Sequence, residues 1–317
     1  MIYFLLFAIS SILTILIIKY APILKLIDIP NHRSSHTLPT PRGGGIAIVI
    51  TFYGALFYFH ELIEPQLFWA LCMGIFIAIL GFIDDRKGLH VYVRLSVQLL
   101  SSIGALLFLG GIQEVQFGLF TLHGIWLNAI ALLMIVWFIN LYNFLDGIDG
   151  YAAAQAIFVS IAAFILFAEP SLLFLASAVA GFLLFNRPKA SVFMGDVGST
   201  TLGFIFAIYM LHDGSTLHFT GWLILLSLFW FDATLTLFRR WRNREKLSSA
   251  HKKHMYQRLA LSNWSHGKIV LLGVFFNLTL FCLVLITPNG YLFITFAITI
   301  ILLFLLSYFV DLKKGFQ

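Results

Sequence analysis

Two apolar stretches near the end of the chain decide the fold class: KIVLLGVFFNLTLFCLVLI at residues 268–286 and YLFITFAITIILLFLLSYFV at residues 291–310. Each is about as long as the roughly 17–25 residues that an α-helix needs to cross the hydrocarbon core of a bilayer. Lys268 at the start of the first stretch is the only charged residue in either. The pair therefore predicts two consecutive membrane-spanning helices.

The composition extends this prediction to the whole chain of 317 residues, which is 60% hydrophobic and 11% charged, with a mean hydropathy of +0.95. A soluble domain carries roughly 25% charged residues, so a soluble globular enzyme and a disordered chain are excluded. We expect an all-α, polytopic membrane protein in which residues 1–317 form a single domain with about 11 transmembrane helices. The eleven apolar spans are 1–18, 45–60, 67–83, 92–111, 125–142, 151–168, 171–185, 198–211, 220–238, 268–286 and 291–310.

The basic residues set the expected orientation. If the N-terminus is outside and the spans alternate, all 20 Lys and Arg residues lie on one side, span edges included. The positive-inside rule makes that side cytoplasmic and the C-terminus cytoplasmic as well. The net charge of +6 then follows membrane topology, and no nucleic-acid partner is expected. The cytoplasmic segments are 19–44, 84–91, 143–150, 186–197, 239–267 and 311–317.

Acidic residues crowd the cytoplasmic ends of these spans. Asp84 and Asp85 lie in GFIDDRKGL, Asp146 and Asp149 in NLYNFLDGIDG, and Asp196 in FMGDVGS. Five carboxylates at one membrane face repel each other unless a cation neutralises them. Oxygen ligands suit Mg²⁺, which typically binds through one or two carboxylates together with substrate phosphates.

The spacing of polar residues around these acids suggests specific roles. Asn140, Asn143, Asp146 and Asp149 recur every three residues, which on a helix lines one face; a capped helix end explains one such Asp but explains the set of four less well. The small residues around Asp196 predict a turn that opens a helix, with free N–H groups for a phosphate and Asp196 for a metal. The alternative there is an ordinary capped turn.

The long basic segment 239–267 contains AHKKHMYQRL, in which His251 and His254 are three residues apart. No third His or Cys lies nearby, so zinc is not indicated, and attraction to anionic membrane lipid is the simple alternative for the segment as a whole. Asp232 in FDATLTLFRR lies about two turns inside the ninth span. An ionisable residue at that depth is a functional candidate, with a buried pair to a following Arg as the alternative.

Taken in order, the motifs resemble the polyprenyl-phosphate N-acetylhexosamine-1-phosphate transferases of glycosyltransferase family 4. The resemblance runs from about Asp28 to Arg258 through PNHRSSHTLPTPRGGG, GFIDDRKGL, NLYNFLDGIDG, FMGDVGS and the HKKH stretch. It implies Mg²⁺, with Mn²⁺ as a substitute, a UDP-N-acetylhexosamine donor and undecaprenyl phosphate as acceptor. It also implies the bacterial inner membrane, with the active site on the cytoplasmic face.

The histidine stretch indicates which branch of this family the chain resembles. Members of the peptidoglycan branch carry consecutive histidines, whereas HKKHMYQRL and FDATLTLFRR look more like the O-antigen-initiating branch. This departure argues against a muramyl-pentapeptide donor.

The resemblance also implies roles for individual residues. Asp84 and Asp85 match the family's aspartate pair, the first favoured as the group that deprotonates the lipid phosphate. Asn143 and Asp196 match metal ligands, and Asp146 and Asp149 match acids of the nucleotide site, so the candidate catalytic residues are Asp84, Asp85, Asp146 and Asp149. The candidate substrate-binding residues are His251, His254, Arg258, Arg187, Lys189, Asn140, Arg42 and His36.

Several alternatives stay open at this point. A phospho-MurNAc-pentapeptide transferase is the nearest, and a transporter or lipid flippase would need ionisable residues near the bilayer midplane. A membrane-anchored scaffold would leave the acidic residues unexplained. The sugar (GlcNAc, GalNAc, QuiNAc or FucNAc), a homodimer against a monomer, and direct attack against a covalent aspartyl intermediate are not decided by the sequence.

Overall fold

The computed structural model of this chain describes residues 1–30, 38–117, 119–247, 249 and 251–316. Its regular structure is almost entirely helical, in agreement with the all-α prediction. The helices are α1 Ile2–Leu24, α2 Gly45–Tyr58, α3 Pro65–Cys72, α4 Gly74–Lys87, α5 Val91–Phe108, α6 Trp126–Phe144, α7 Tyr151–Phe167, α8 Ser171–Asn186, α9 Asp196–His212, α10 Thr216–Leu225, α11 Ser227–Arg242, α12 Met255–Leu261, α13 His266–Ile286 and α14 Leu292–Lys313.

Two short antiparallel strand pairs and two 3-10 helices, His60–Leu62 and Asn289–Tyr291, complete the regular structure of these residues. Strand β1 (Ile27–Asp28) pairs with β2 (Thr40–Pro41), and β3 (Glu114–Gln116) pairs with β4 (Thr121–His123). The first pair brings the chain back to the end of α1, where the N–H of Arg42 donates to the carbonyl of Leu26 at 2.9 Å. This return places Arg42 directly before α2.

The number of membrane crossings is smaller when only long apolar helices are counted. Among the residues that the structure describes, six helical segments are long and apolar enough to cross a bilayer by themselves: Ile2–Leu24, Pro65–Lys87, Val91–Phe108, Trp126–Phe144, His266–Ile286 and Asn289–Lys313. The α10–α11 pair, which bends by 65°, makes a seventh if its two helices form one span, and α2, α7 and α8 are shorter apolar helices. All eleven predicted spans coincide with helical segments, but eleven crossings and their orientation stay predictions.

Helix α9 is the centre of the bundle. Its residues from Val197 to Leu211 are all buried, as expected for a helix that is apolar on every side. Small residues let its neighbours approach closely, as is common between membrane helices: a Cβ at Gly203 would lie 2.3 Å from the carbonyl oxygen of Phe138, and one at Gly81 would lie 2.6 Å from the backbone of Val197. Helices α4 and α6 are thereby held against α9.

The bend between α10 and α11 leaves the carbonyl of Leu225 outside regular helical bonding. The buried Gln155 of α7 donates its Nε2–H to this oxygen at 3.3 Å, and Asn277 of α13 donates to the Oε1 of Gln155. Backbone groups freed by a break at membrane depth need such partners. The two amides therefore stabilise the bend from which α11 leads to the basic segment.

Candidate active site

The acidic segments that were predicted to act together do converge. Helix α4 carries Asp84 and Asp85 in its last turn, α6 leads into the loop of Asp146 and Asp149, and α9 begins at Asp196. The carboxylates of Asp85, Asp149 and Asp196 all lie close enough to that of Asp146 to act on it electrostatically. The packing of α4 and α6 against α9 explains why segments distant in sequence meet.

Asp85 is bound entirely by protein groups. Its Oδ1 accepts the N–H of Asp196 at 3.0 Å and its Oδ2 accepts the N–H of Val197 at 3.2 Å. The guanidinium of Arg42 donates to the same carboxylate through Nε at 3.0 Å and through Nη2. These two N–H groups of α9 are therefore not free for a phosphate, and that part of the sequence prediction was wrong because Asp85 already occupies the helix N-terminus.

Asp84 is also bound by protein groups. Arg94 of α5 donates to its Oδ2 at 3.0 Å, and the N–H of Leu89 donates to its Oδ1. Its carboxyl is within hydrogen-bonding reach of the Asp196 carboxyl. Two carboxylates at this separation repel each other unless a proton or a cation lies between them. The Asp84–Asp196 contact therefore favours a proton or a cation between the two carboxyl groups.

Asp146 shows the same excess of negative charge. Burial, and then the charges of Asp196, Asp85 and Asp149, raise the pKa of Asp146 well above its usual range. It lies in the loop after α6, since that helix ends at Phe144. The predicted single helical face of four polar residues is thus wrong in its second half, because Asp146 and Asp149 lie beyond the helix.

The two asparagines of α6 have different surroundings. Asn143 lies next to the acids, and its Oδ1 accepts the hydroxyl of Ser199 at 3.0 Å. Asn140 lies one turn earlier and donates to Oε1 of Gln98 at 2.8 Å and to the carbonyl of Val136 at 2.7 Å. The structure therefore gives Asn140 a role in joining α6 to α5, and gives Asn143 a place at the site.

Asp149 fastens the loop after α8. Its Oδ2 accepts the N–H groups of Lys189 at 3.1 Å and Ala190 at 3.4 Å, and lies 3.1 Å from Nδ1 of His266. Burial opposes ionisation, but the hydrogen bond and charge of His266, followed by the two N–H groups, lower the pKa of Asp149. The side chains of Arg187 and Lys189 are exposed beside it. His266, at the start of α13, was missed because no motif marks it.

The histidines of the basic segment lie together. The rings of His251 and His254 have centroids 4.9 Å apart, and the His254 ring is 6.3 Å from that of Phe144, the neighbour of Asn143. Burial, followed by the charges of His254 and Arg240, lowers the pKa of His251 to about 4. His251 is therefore neutral near neutral pH and can form hydrogen bonds but not ion pairs.

The basic side chains of this segment mostly bind protein. Arg258 pairs with Asp311 of α14 and donates to the carbonyl of Lys314 at 3.0 Å, so the expectation that it binds substrate is not supported by its contacts. The buried Arg240, which the sequence did not single out, donates to Glu245 and to the carbonyls of Lys246, Leu247 and Ser249. His36 lies outside the described residues.

The donor groups at the acidic cluster are oxygens from Asn143, Asp146 and Asp196, with Asp84 adjacent. Within the described part of the chain, no three His, Cys, Asp or Glu side chains form a compact ligand set by themselves. One or two carboxylates, completed by water and by substrate phosphates, is nevertheless the usual way in which Mg²⁺ is bound. The closely spaced acids fit a hard cation of this kind.

Comparison with known proteins identifies the family of this chain. Residues 67–213 match the glycosyl transferase family 4 model. A probable undecaprenyl-phosphate N-acetylglucosaminyl 1-phosphate transferase of Bacillus subtilis is 31% identical over 92% of this chain and 88% of its own length. A decaprenyl-phosphate N-acetylglucosaminephosphotransferase of Mycobacterium tuberculosis is 28% identical over 77% of this chain and 71% of its own length.

The peptidoglycan branch is represented as well. A phospho-N-acetylmuramoyl-pentapeptide-transferase of Thermotoga petrophila is 32% identical over 75% of this chain and 82% of its own length. The relatives thus share a reaction class but differ in sugar. The chain belongs to glycosyl transferase family 4, the polyprenyl-phosphate sugar-1-phosphate transferases.

Proposed function

We propose that this multi-pass membrane enzyme transfers N-acetylhexosamine-1-phosphate from a UDP-sugar to undecaprenyl phosphate. The products are UMP and the lipid-diphospho-sugar that initiates O-antigen or another cell-surface polysaccharide. The proposal rests on one observation above all: acidic residues from three separate segments meet near Asn143. Asp85, Asp149 and Asp196 all act on Asp146, and the carboxyl of Asp84 lies within hydrogen-bonding reach of that of Asp196. The distribution of all 20 Lys and Arg residues supports a location of this cluster at the cytoplasmic face of the bacterial inner membrane.

In the proposed reaction, a phosphate oxygen of the lipid attacks the phosphorus that carries the sugar. A new P–O bond forms, the bond from that phosphorus to the bridging oxygen breaks, and UMP leaves with the electron pair. The lipid phosphate monoester is largely ionised near neutral pH, so little proton removal is needed. Asp84, which is held by Arg94 and the Leu89 amide, therefore acts mainly by position.

Asn143 and Asp196 are the proposed ligands of Mg²⁺, with Asp146 nearby. When bound, the metal ion would supply charge neutralisation at the diphosphate. Asp85 fixes the direction in which α9 presents Asp196, since it binds the first N–H groups of that helix. His251 and His254 are proposed to hydrogen-bond the donor phosphates, and the exposed Arg187 and Lys189 to offset their charge.

A phospho-MurNAc-pentapeptide transferase is the second candidate, because relatives of both kinds match the chain. The sequence of the histidine segment favours the hexosamine donor: Lys252 and Lys253 separate the two histidines, and Nζ of Lys253 donates to Glu245 at 2.8 Å. The segment therefore does not offer a ligand the consecutive histidines that are typical of the peptidoglycan branch.

The direct test is UMP release by the purified protein in detergent with undecaprenyl phosphate and Mg²⁺. Donors are UDP-GlcNAc, UDP-GalNAc, the UDP forms of QuiNAc and FucNAc, and UDP-MurNAc-pentapeptide. We expect UMP and a lipid-linked sugar phosphate with at least one UDP-N-acetylhexosamine. UMP release with the pentapeptide donor alone would support the second candidate, and release with none would contradict the proposed reaction.

A further inference from the structure

The carboxylate of Asp232 in α11 takes no part in the proposed reaction, although its side chain is only 1% exposed. Its two oxygens accept the N–H of Met255 at 2.9 and 3.0 Å, and its Oδ1 also accepts the hydroxyl of Thr236 at 3.1 Å. Met255 is the first residue of α12, whose initial N–H groups have no partner inside the helix. Asp232 thus holds the start of α12 from another helix.

His254 is the residue directly before this held amide. Its side chain is 3% exposed, and its Nδ1 lies 3.5 Å from Oδ1 of Asp232, which is longer than an ordinary N–H···O hydrogen bond. Nδ1 has no other hydrogen-bond partner among the residues that the structure describes. The backbone N–H of His254 donates to Oε1 of Gln257 at 3.2 Å. The position of the imidazole therefore depends on where the first turn of α12 is held.

The same turn is fixed on its other side to the acidic loop. The hydroxyl of Tyr256 donates to the carbonyl of Phe144 at 2.9 Å. It also lies against Gly147, where a Cβ would be 2.1 Å from the hydroxyl oxygen. Gly147 follows Asp146 directly, so one turn of helix connects Asp232 on α11 with the loop that carries Asp146 and Asp149.

We propose that Asp232 is a positioning residue of the donor site. Because it anchors the Met255 amide, it sets the distance between the histidines of the basic segment and the acids of the 145–150 loop. This inference rests on the proposed function, in which the histidines bind the donor phosphates and the acids line the nucleotide site. A donor that spans both groups requires that distance to be constant.

Two variants weaken or remove the anchor in different ways. Asp232→Asn keeps the size of the side chain and one oxygen acceptor but removes its charge, so the Met255 N–H is bound more weakly. Met255→Pro removes the N–H that Asp232 accepts, while proline suits the first position of a helix. The preceding His254 has φ −61° and ψ 151°, which suits a residue before proline. Met255→Ala is the matched control, since it loses the Met side chain but keeps the N–H. Thr236→Val removes only the hydroxyl contact to Asp232.

The kinetic measurement is UMP release with the UDP-sugar and undecaprenyl phosphate varied separately. A hydrogen bond to a charged group is commonly worth enough to change binding about tenfold. We expect Asp232→Asn and Met255→Pro to raise KM for the UDP-sugar about tenfold, with kcat and KM for the lipid within about twofold of wild type. Thr236→Val and Met255→Ala should keep the wild-type KM for the donor. Equal changes in both KM values, or equal effects of Met255→Pro and Met255→Ala, would contradict a positioning role.

A second measurement does not depend on activity. Hydrogen exchange of the amides at 256–261 should be faster in Asp232→Asn and Met255→Pro than in wild type and the two controls. Unchanged protection of these amides in both Asp232→Asn and Met255→Pro would overturn the proposal even if the kinetics could not be measured. If the wild-type protein released no UMP from any donor, the proposed function would fail, while exchange would still decide whether Asp232 anchors α12.

Discussion

The side chain of Asp85 binds the backbone of Asp196: Oδ1 of Asp85 accepts the N–H of Asp196 at 3.0 Å. With the Val197 amide bound to Oδ2 at 3.2 Å, Asp85 caps α9 from the end of α4. A carboxylate at a helix N-terminus is favoured by the helix dipole. The two adjacent aspartates therefore have different functions: Asp85 orients α9, and Asp84 faces the carboxyl of Asp196.

Because Asp85 caps α9, we expect Asp85→Asn to destabilise the protein. The substitution weakens the cap on α9 and leaves Arg42 without the charge that it binds. Loss of one partner in a buried ionic contact typically costs about 2 kcal/mol or more. We expect a clearly lower Tm in detergent, with the exposed Glu61→Gln as a control that stays at the wild-type value. An unchanged Tm for Asp85→Asn would show that the cap contributes little.

The close approach of α6 to α9 predicts a second stability effect. Gly203→Ala would place a Cβ 2.3 Å from the carbonyl oxygen of Phe138, and overpacking of this kind costs about 1–3 kcal/mol. Gly54→Ala is the control, because no atom lies within 4 Å of its added Cβ. Thermal unfolding should show a lower Tm for Gly203→Ala and an equal or higher Tm for Gly54→Ala. Equal values would mean that the two helices can separate at no cost.

The neutral His251 predicts a pH effect on stability. Its pKa is about 4 in the folded protein, against an ordinary value of 6.5. Below about pH 6.5 the unfolded chain takes up a proton before the folded protein does, so this group destabilises the folded protein increasingly as the pH falls toward 4. The decrease in Tm between pH 7.5 and pH 5 should be smaller in His251→Asn than in wild type. The same decrease in both proteins would place His251 in contact with water.

The orientation predicted from the basic residues can be tested by labelling. In a background of Cys72→Ser and Cys282→Ser, an impermeant thiol reagent added to intact cells should label Asn289→Cys and leave Asn263→Cys unlabelled. Both variants should be labelled after the membrane is opened. Labelling of Asn263→Cys in intact cells would reverse the topology and place the acidic cluster on the outer face.

Much of the helical fold follows from the sequence, because length and hydropathy are local properties that a bilayer selects strongly. The interruptions are harder to predict: the break at Leu226 inside an apolar stretch depends on Gln155 and Asn277, which approach from other helices. Hydropathy likewise does not distinguish the 14-residue α2 from a helix that crosses the whole bilayer.

The candidate site, like the fold, was predicted only in part from the sequence. The motifs correctly predicted that acids from three segments converge, with Asp85 and Asp196 close to Asp146 and Asp84 close to Asp196. Each segment follows or opens a span on one predicted side. The roles of Asp85, Asp149 and Arg258 depend on partners that are distant in sequence: the α9 amides, His266 and Asp311. Pattern alone does not pair such residues, because a carboxylate at a span end looks the same whether it caps a helix or faces a substrate.

The central claim is that the acids between α4, α6 and α9 form a magnesium-dependent transferase site, and Asp196→Asn tests it most directly. UMP release from a UDP-N-acetylhexosamine should be measured for folded wild type, Asp196→Asn, Asp146→Asn and Asp84→Asn over a range of Mg²⁺ concentrations. We expect Asp196→Asn to lose nearly all activity because the cation loses its charged ligand, with partial recovery at high Mg²⁺. Asp146→Asn should be milder, and Asp84→Asn should stay defective at every Mg²⁺ concentration. Near-normal activity of folded Asp196→Asn at low Mg²⁺ would contradict the account.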